Sequence, residues 1–131
     1  MKIGFDAKRL FNNFTGLGNY SRSLVTNLQK NATENDYFLY SPKANEKPET
    51  KSFFSSSFQL KSSYNLLWRE KGILKNLEED EIDIFHGLSH EIPLGIQKTK
   101  IKTVVTIHDL IFKIYPNTCL LYTSDAADDS L

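Results

Sequence analysis

The run VVTIHDLIF at residues 104–112 constrains the fold more than any other stretch of this chain. It begins β-branched and apolar and meets its first titratable groups at the adjacent pair His108 and Asp109. A parallel strand buried on both faces has this near-continuous apolar character. Two earlier runs, IGFD at 3–6 and IDIFH at 82–86, also pass from apolar to polar at their carboxyl ends. In an open parallel sheet, ligands bind outside the carboxyl ends of the strands. Three such ends predict one shared cleft, and so half of an enzyme site.

The intervening segments supply the other elements. Lys2–Asp6 reads as the first strand, and residues 8–17, with Asn12, Asn13, Thr15 and Gly16, as a polar and aromatic loop. From Gly18 the apolar residues Tyr20, Leu24, Val25 and Leu28 share a helical face, and the helix ends across residues 31–36. Residues 37–40 form the second strand, closed by Ser41 and Pro42. Residues 43–52 are polar and charged and are expected to be a mobile loop. A short third strand is expected within 52–60. A second long helix is expected over 64–80, with Leu66, Leu67, Ile73, Leu74 and Leu77 on one side. The acidic run at 78–81 reads as a solvated corner. Residues 82–86 and 102–108 are the last two strands, joined by a loop at 87–100. Strands alternating with helices predict an α/β fold: a Rossmann-like parallel sheet flanked by helices.

Bulk properties exclude several classes. With 131 residues the chain suits one domain. Sixteen basic and sixteen acidic side chains cancel, which gives no support to nucleic-acid binding. A single cysteine excludes an internal disulfide. No apolar run approaches the ~20 residues of a membrane span, and no signal peptide is evident. A cytoplasmic location is the default expectation.

The final residues break the pattern. The segment CLLYTSDAAD at 119–128 has neither helix-start logic nor an apolar period. It back-translates as TGT CTC TTA TAC ACA TCT GAC GCT GCC GAC, which looks like a transposase-type sequencing adapter read in frame. We expect the natural sequence to end its representation near Thr118, residues 119–131 to be an adapter-derived tail, and the domain at 1–118 to be incomplete. Cys119 then says nothing about redox chemistry.

Several residues could carry chemistry. Gly16 and Gly18 open the first long helix, where backbone amides and the helix dipole favour an anion such as a nucleotide diphosphate. Glycines there also serve as plain turn residues. A dinucleotide fingerprint is excluded, because Ser21 stands where a third glycine is needed and residues 7–15 separate the strand from the glycines. No Gly-Lys-Ser/Thr follows, so this is not a P-loop. Asp6 and Arg9 lie at the first strand end. Arg9 is able to hold a phosphate or carboxylate, and Asp6 is equally able to pair with it or cap a turn. His86 and His90 surround another strand end with Gly87 and Ser89. No cysteine or carboxylate stands at helical spacing beside them to complete a zinc site, so no metal is expected. His108, adjacent to Asp109, is suited to hydrogen-bond a hydroxyl near neutral pH. No Gly-x-Ser-x-Gly elbow supports a hydrolase triad.

Taken in order, IGFDAKR at 3–9, GLGNY at 16–20, DIFH at 83–86 with Pro93 beyond it, and VTIHDL at 105–110 followed by Pro116 resemble one known family. It is the N-terminal domain of retaining GT-B glycosyltransferases of the family-four type, which includes many bacterial mannosyltransferases and capsule or lipopolysaccharide transferases. The likeness covers about residues 1–118 and rests on the order of the four pieces, none of which is specific alone. It implies the N-terminal half of a GT-B fold and transfer of a hexose, mannose being one candidate, from a nucleotide sugar to a glycan or lipid-linked acceptor with retention. By position it implies that Gly16 and Gly18 approach the donor diphosphate and that His108 contacts the transferred sugar. Asp6, Arg9, Tyr20, His86, Ser89 and Asp109 are implied on the acceptor side. It further implies no metal or cofactor and, for members that extend surface polysaccharides, work at the cytosolic face of the inner membrane.

The family's nucleotide-binding domain, with its Glu-x7-Glu motif, has no counterpart in this sequence. Alone, the chain is expected to bind donor weakly and not to turn over, because half of the leaving-group site is absent. The alternatives are a stand-alone Rossmann-like ligand-binding module without catalysis, or a nucleotide-dependent epimerase or dehydrogenase. The defective fingerprint argues against the last.

Overall fold

The computed structural model describes residues 1–62 and 72–109. Five parallel strands form one sheet: β1 (Lys2–Asp6), β2 (Asp36–Ser41), β3 (Gln59–Ser62), β4 (Ile84–Gly87) and β5 (Lys102–Val105). Their order is β3-β2-β1-β4-β5. Helices α1 (Lys8–Asn12), α2 (Gly16–Asn31) and α3 (Ile73–Glu79) complete the α/β, Rossmann-like arrangement.

Strand β2 shows why the sheet is two-sided. Successive side chains point to opposite faces. Tyr37 and Leu39 enter a core with Phe5, Leu10, Phe11, Val25 and Phe53. Phe38 and Tyr40 enter a second core with Ile73, Leu77, Phe85 and Ile96. Helices α1 and α2 supply the first face and α3 the second. Burying one Phe such as Phe5 fully contributes roughly 1.5–3 kcal/mol. The α2 helix lacks a C-terminal glycine. Instead, the Tyr37 hydroxyl reaches the Leu28 and Ala32 carbonyls at 3.0 and 2.7 Å, which offsets the unpaired carbonyls of a last turn.

The structure corrects several expectations. Residues 8–17 are not one loop: α1 occupies part of them and buries Arg9, Leu10 and Phe11. The adjacent polar segment at 43–52 is tied down. Thr50 is fully buried, its hydroxyl donates to the Asn45 carbonyl at 2.6 Å, and the Asn45 side chain bonds Asn12 at 2.8 Å. These backbone-directed contacts leave no hydrophobic signal in the sequence. A 3-10 turn at Lys51–Phe54 buries Phe53, so β3 starts later than the apolar residues suggested.

The acidic corner is also more than a solvated run. Asp80 accepts a 2.6 Å hydrogen bond from Tyr40 and lies 3.7 Å from the Lys61 ammonium. Glu81 adopts φ 56°, the left-handed position where helices usually end on glycine. The Glu81 and Ile82 amides then bond the Glu78 and Leu77 carbonyls, while Leu77 and Ile82 pack in the same core. This is a Schellman closure of α3 with a glutamate in the glycine position. Of the helix expected over 64–80, Ile73, Leu74 and Leu77 lie in α3 or against its core, whereas Leu66 and Leu67 lie outside the described residues.

The strand that most constrained the fold is the one most altered. β5 ends at Val105, and its residues are all exposed. Val104, Val105 and Ile107 remain 48%, 40% and 51% exposed. Among the described residues β5 pairs with β4 alone and stands last in the sheet, with no described helix over it. Apolar alternation reports a tendency to be buried, not the presence of a neighbour. Residues 110–118, including Pro116, and the tail at 119–131 lie outside the described residues.

Candidate ligand-binding site at the strand ends

The chain builds β1, β2 and β3 outward in one direction and then places β4 on the other side of β1. The crevice between β1 and β4 is thus the topological switch point, where open α/β sheets take their ligands. His86 stands there, in register with Phe5 of β1 and Val104 of β5. Its ring centroid lies 5.8 Å from that of Phe5.

Residues just past β5 complete the cluster. The Thr106 amide donates to the Gly87 carbonyl, and the Thr106 carbonyl accepts from the His90 amide, both at 2.9 Å. This clasp demands a tight loop after β4. A Cβ on Gly87 would stand 1.9 Å from the Glu91 carbonyl oxygen, and His90 takes φ 66°. The Thr106 hydroxyl lies 2.7 Å from His86 Nε2 and 3.1 Å from the Tyr20 phenol oxygen. Tyr20 comes from α2 and sets its ring perpendicular to His108, with centroids 4.8 Å apart. The His90 and His108 rings lie 5.3 Å apart.

His108 Nε2 is 2.8 Å from the Leu88 carbonyl oxygen. A carbonyl only accepts, so Nε2 carries the proton. In the neutral ring Nδ1 is then the basic nitrogen. The site therefore joins a phenol, a hydroxyl and three imidazoles, groups suited to binding polyhydroxylated ligands.

The other sequence candidates divide. Gly18 has a structural reason to be glycine: a Cβ there would stand 1.7 Å from the Asn13 carbonyl oxygen. Gly16 meets nothing within 4 Å. Asn13 Oδ1 accepts from the Thr15 and Gly18 amides at 2.9 and 3.0 Å. Of the opening amides of α2, those of Gly16 and Leu17 then lack an intrahelical acceptor. Asp6 Oδ1 accepts from the Lys8 amide at 3.2 Å, at the start of α1, and Arg9 is 6% exposed. Ser89 is buried, and among the described residues its hydroxyl has no hydrogen-bond partner. Buried hydroxyls rarely stay unpaired. Asp109 is partly buried at the end of the described segment.

Sequence reasoning missed three residues. Thr106 was readable in principle, because in the strand expected over 102–108 it falls on the same face as His108 two residues on. Asn13 was seen only as a loop former, although a side-chain oxygen just before a helix is a capping signal. Arg22 left no signal. It is 8% exposed, and its Nη1 donates to the Leu10 and Asn13 carbonyls at 2.8 and 2.7 Å. Its Nη2 reaches Asn19 Oδ1 at 2.7 Å, and its guanidinium lies over Phe14.

Burial lowers the His86 pKa below its ordinary 6.5. The unfolded chain then binds this proton more readily than the folded one. The stability linked to His86 is full above pH 6.5 and is lost as pH falls through the folded pKa. We expect an NMR titration midpoint for His86 below 6.5. We also expect the thermal midpoint to fall between about pH 7 and pH 5, and to fall less in His86→Gln. A midpoint above the ordinary value would reverse the sign and refute this account.

Among the described residues, no group of three or more His, Cys, Asp or Glu is placed to hold a metal ion. No helix among them is long and apolar enough to cross a membrane. No protein-family model, curated protein or solved structure matches the chain.

Proposed function

We propose that this chain is the N-terminal portion of a retaining GT-B glycosyltransferase of the family-four type. The parent enzyme transfers a hexose from a nucleotide sugar to a glycan or lipid-linked acceptor. The observation that carries this reading is the convergence of Tyr20, His86 and His108 at the carboxyl ends of β4 and β5. These residues lie far apart in the chain, and all three belong to the motifs on which the resemblance rests.

The chemistry fits the reading. Transfer from a nucleotide sugar needs contacts to sugar hydroxyls and stabilisation of a departing diphosphate. The imidazoles and the phenol offer the first. The Gly16 and Leu17 amides offer a small share of the second, and the larger share belongs to a second domain. The nucleotide sugar is a substrate, and the proposed reaction uses no metal or cofactor. Peripheral association of the parent enzyme with the cytosolic membrane face belongs to the same proposal.

The test begins with the source DNA, read onward from the codon of Tyr115. The expected frame leaves the adapter-like string and enters a second α/β domain bearing the Glu-x7-Glu motif. The full-length product should transfer hexose with the anomeric configuration kept. His108→Ala should lower kcat by about 100-fold, as loss of a group contacting the reacting sugar does. A stop codon directly after Leu131, with no transfer from any nucleotide hexose, would sink the proposal in favour of a ligand-binding module.

A further inference from the structure

We propose that Thr106 is a positioning residue of the strand-end site. Its hydroxyl accepts from the Tyr20 phenol and donates to His86 Nε2, which keeps the His86 proton on Nδ1 and the Tyr20 ring against His108.

The geometry leaves few choices. Among the described residues, the hydrogen-bond partners of Thr106 Oγ1 are His86 Nε2 at 2.7 Å and the Tyr20 oxygen at 3.1 Å. A hydroxyl has one proton and two lone pairs, so it donates to at most one of them. A phenol O–H is a stronger neutral donor than an aliphatic hydroxyl or an imidazole N–H. The lone pair of a neutral imidazole is the strongest acceptor. A chain running phenol to hydroxyl to imidazole places each group in its stronger role, and each bond polarises the next. Burial disfavours the charged form of His86, which favours keeping that lone pair. The opposite direction makes the imidazole the first donor and the phenol oxygen, a weak acceptor, the last.

Two further features make Thr106 suited to the task. Its backbone is clasped on both sides, by the Gly87 carbonyl and the His90 amide, so the hydroxyl starts from a fixed point. Its β-branch restricts χ1, so few rotamers compete with the one that reaches both partners. The result links three segments: α2 through Tyr20, β4 through His86, and the end of β5 through Thr106 itself. Tyr20, 36% exposed, is thereby fixed edge-on to His108 at the 4.8 Å centroid distance. The value of this arrangement for ligand binding rests on the function proposed above. The hydrogen-bond direction does not.

The test is side-chain nitrogen NMR on the full chain without ligand, comparing wild type, Thr106→Val, Thr106→Ser and Tyr20→Phe at a pH where His86 is neutral. In wild type, His86 Nε2 is expected to be the unprotonated, pyridine-type nitrogen. Thr106→Val should lose this single tautomer and the ring-current shift that Tyr20 imposes on His108, and Thr106→Ser should restore both. Tyr20→Phe should keep the His86 tautomer, because Thr106 still donates to it. A protonated Nε2 in wild type overturns the proposal, as does an unchanged tautomer in Thr106→Val. If Thr106→Val does not fold, the wild-type and Thr106→Ser spectra decide alone: a protonated Nε2 in both refutes the direction of the chain. None of these spectra needs turnover, so failure of the relay and failure of the transferase reading are seen separately.

Discussion

Gly18→Ala destabilises the domain by about 3 kcal/mol, at the upper end for forced overpacking, whereas Gly16→Ala is neutral or stabilises by up to about 1 kcal/mol. The two glycines stand two residues apart in one helix turn, and sequence reading treated them alike. A Cβ at Gly18 lands 1.7 Å from the Asn13 carbonyl oxygen and 3.0 Å from Arg22 Nη1. The first obstacle is backbone, so relief requires α1 and α2 to part. At Gly16 nothing lies within 4 Å, and alanine lowers the entropy of the unfolded chain. Urea unfolding of both variants measures the difference. Equal midpoints would show that the α1–α2 junction is looser than this packing implies. An anion-binding role for both glycines alone predicts two variants of equal stability and equal loss of ligand.

Arg22→Ala costs about 3 kcal/mol, and Arg22→Lys recovers less than half of it, because the loss leaves buried carbonyls without donors. The Leu10 and Asn13 carbonyls lie at the end of α1, where helix carbonyls lack intrahelical partners. One planar guanidinium serves both and also Asn19. An ammonium is a compact donor that does not reproduce that fork. Chemical denaturation of the two variants gives the comparison, and full rescue by lysine would mean that charge alone matters. Gly18 and Arg22 converge on the same Asn13 carbonyl, so their substitutions should combine to less than the sum of their separate effects. This junction sets where Tyr20 leaves α2, and hence where its ring meets His108.

The site was legible only in part. His86 and His108 are visible because polar residues at the ends of apolar strands have few structural reasons to be there, whereas Tyr20 enters only through the resemblance. Thr106 was passed over because a threonine within a β-branched run looks like an ordinary strand residue. Tyr20 was assigned to the apolar helix face, yet Val25 is the fully buried member of that set and Tyr20 turns to the strand ends. The acidic corner with Asp80 reads as solvated and the 43–52 segment as a mobile loop, because hydrogen bonds leave no apolar period in the chain.

By itself the sequence determined the class of fold. Apolar runs of strand length, helical spacing at 24, 25 and 28, and the alternation of the two compel a parallel sheet covered by helices, since each element has apolar surface that only the others can bury. Tertiary structure decided which strand ends meet. The order β3-β2-β1-β4-β5 brings His86 beside Thr106 and leaves β5 last among the described strands, with its valines exposed. Periodicity is a local property that sets the face a side chain takes. Strand pairing is a choice among partners far apart in the chain, made by the packing of the whole sheet, and the neighbours of each strand end follow from it.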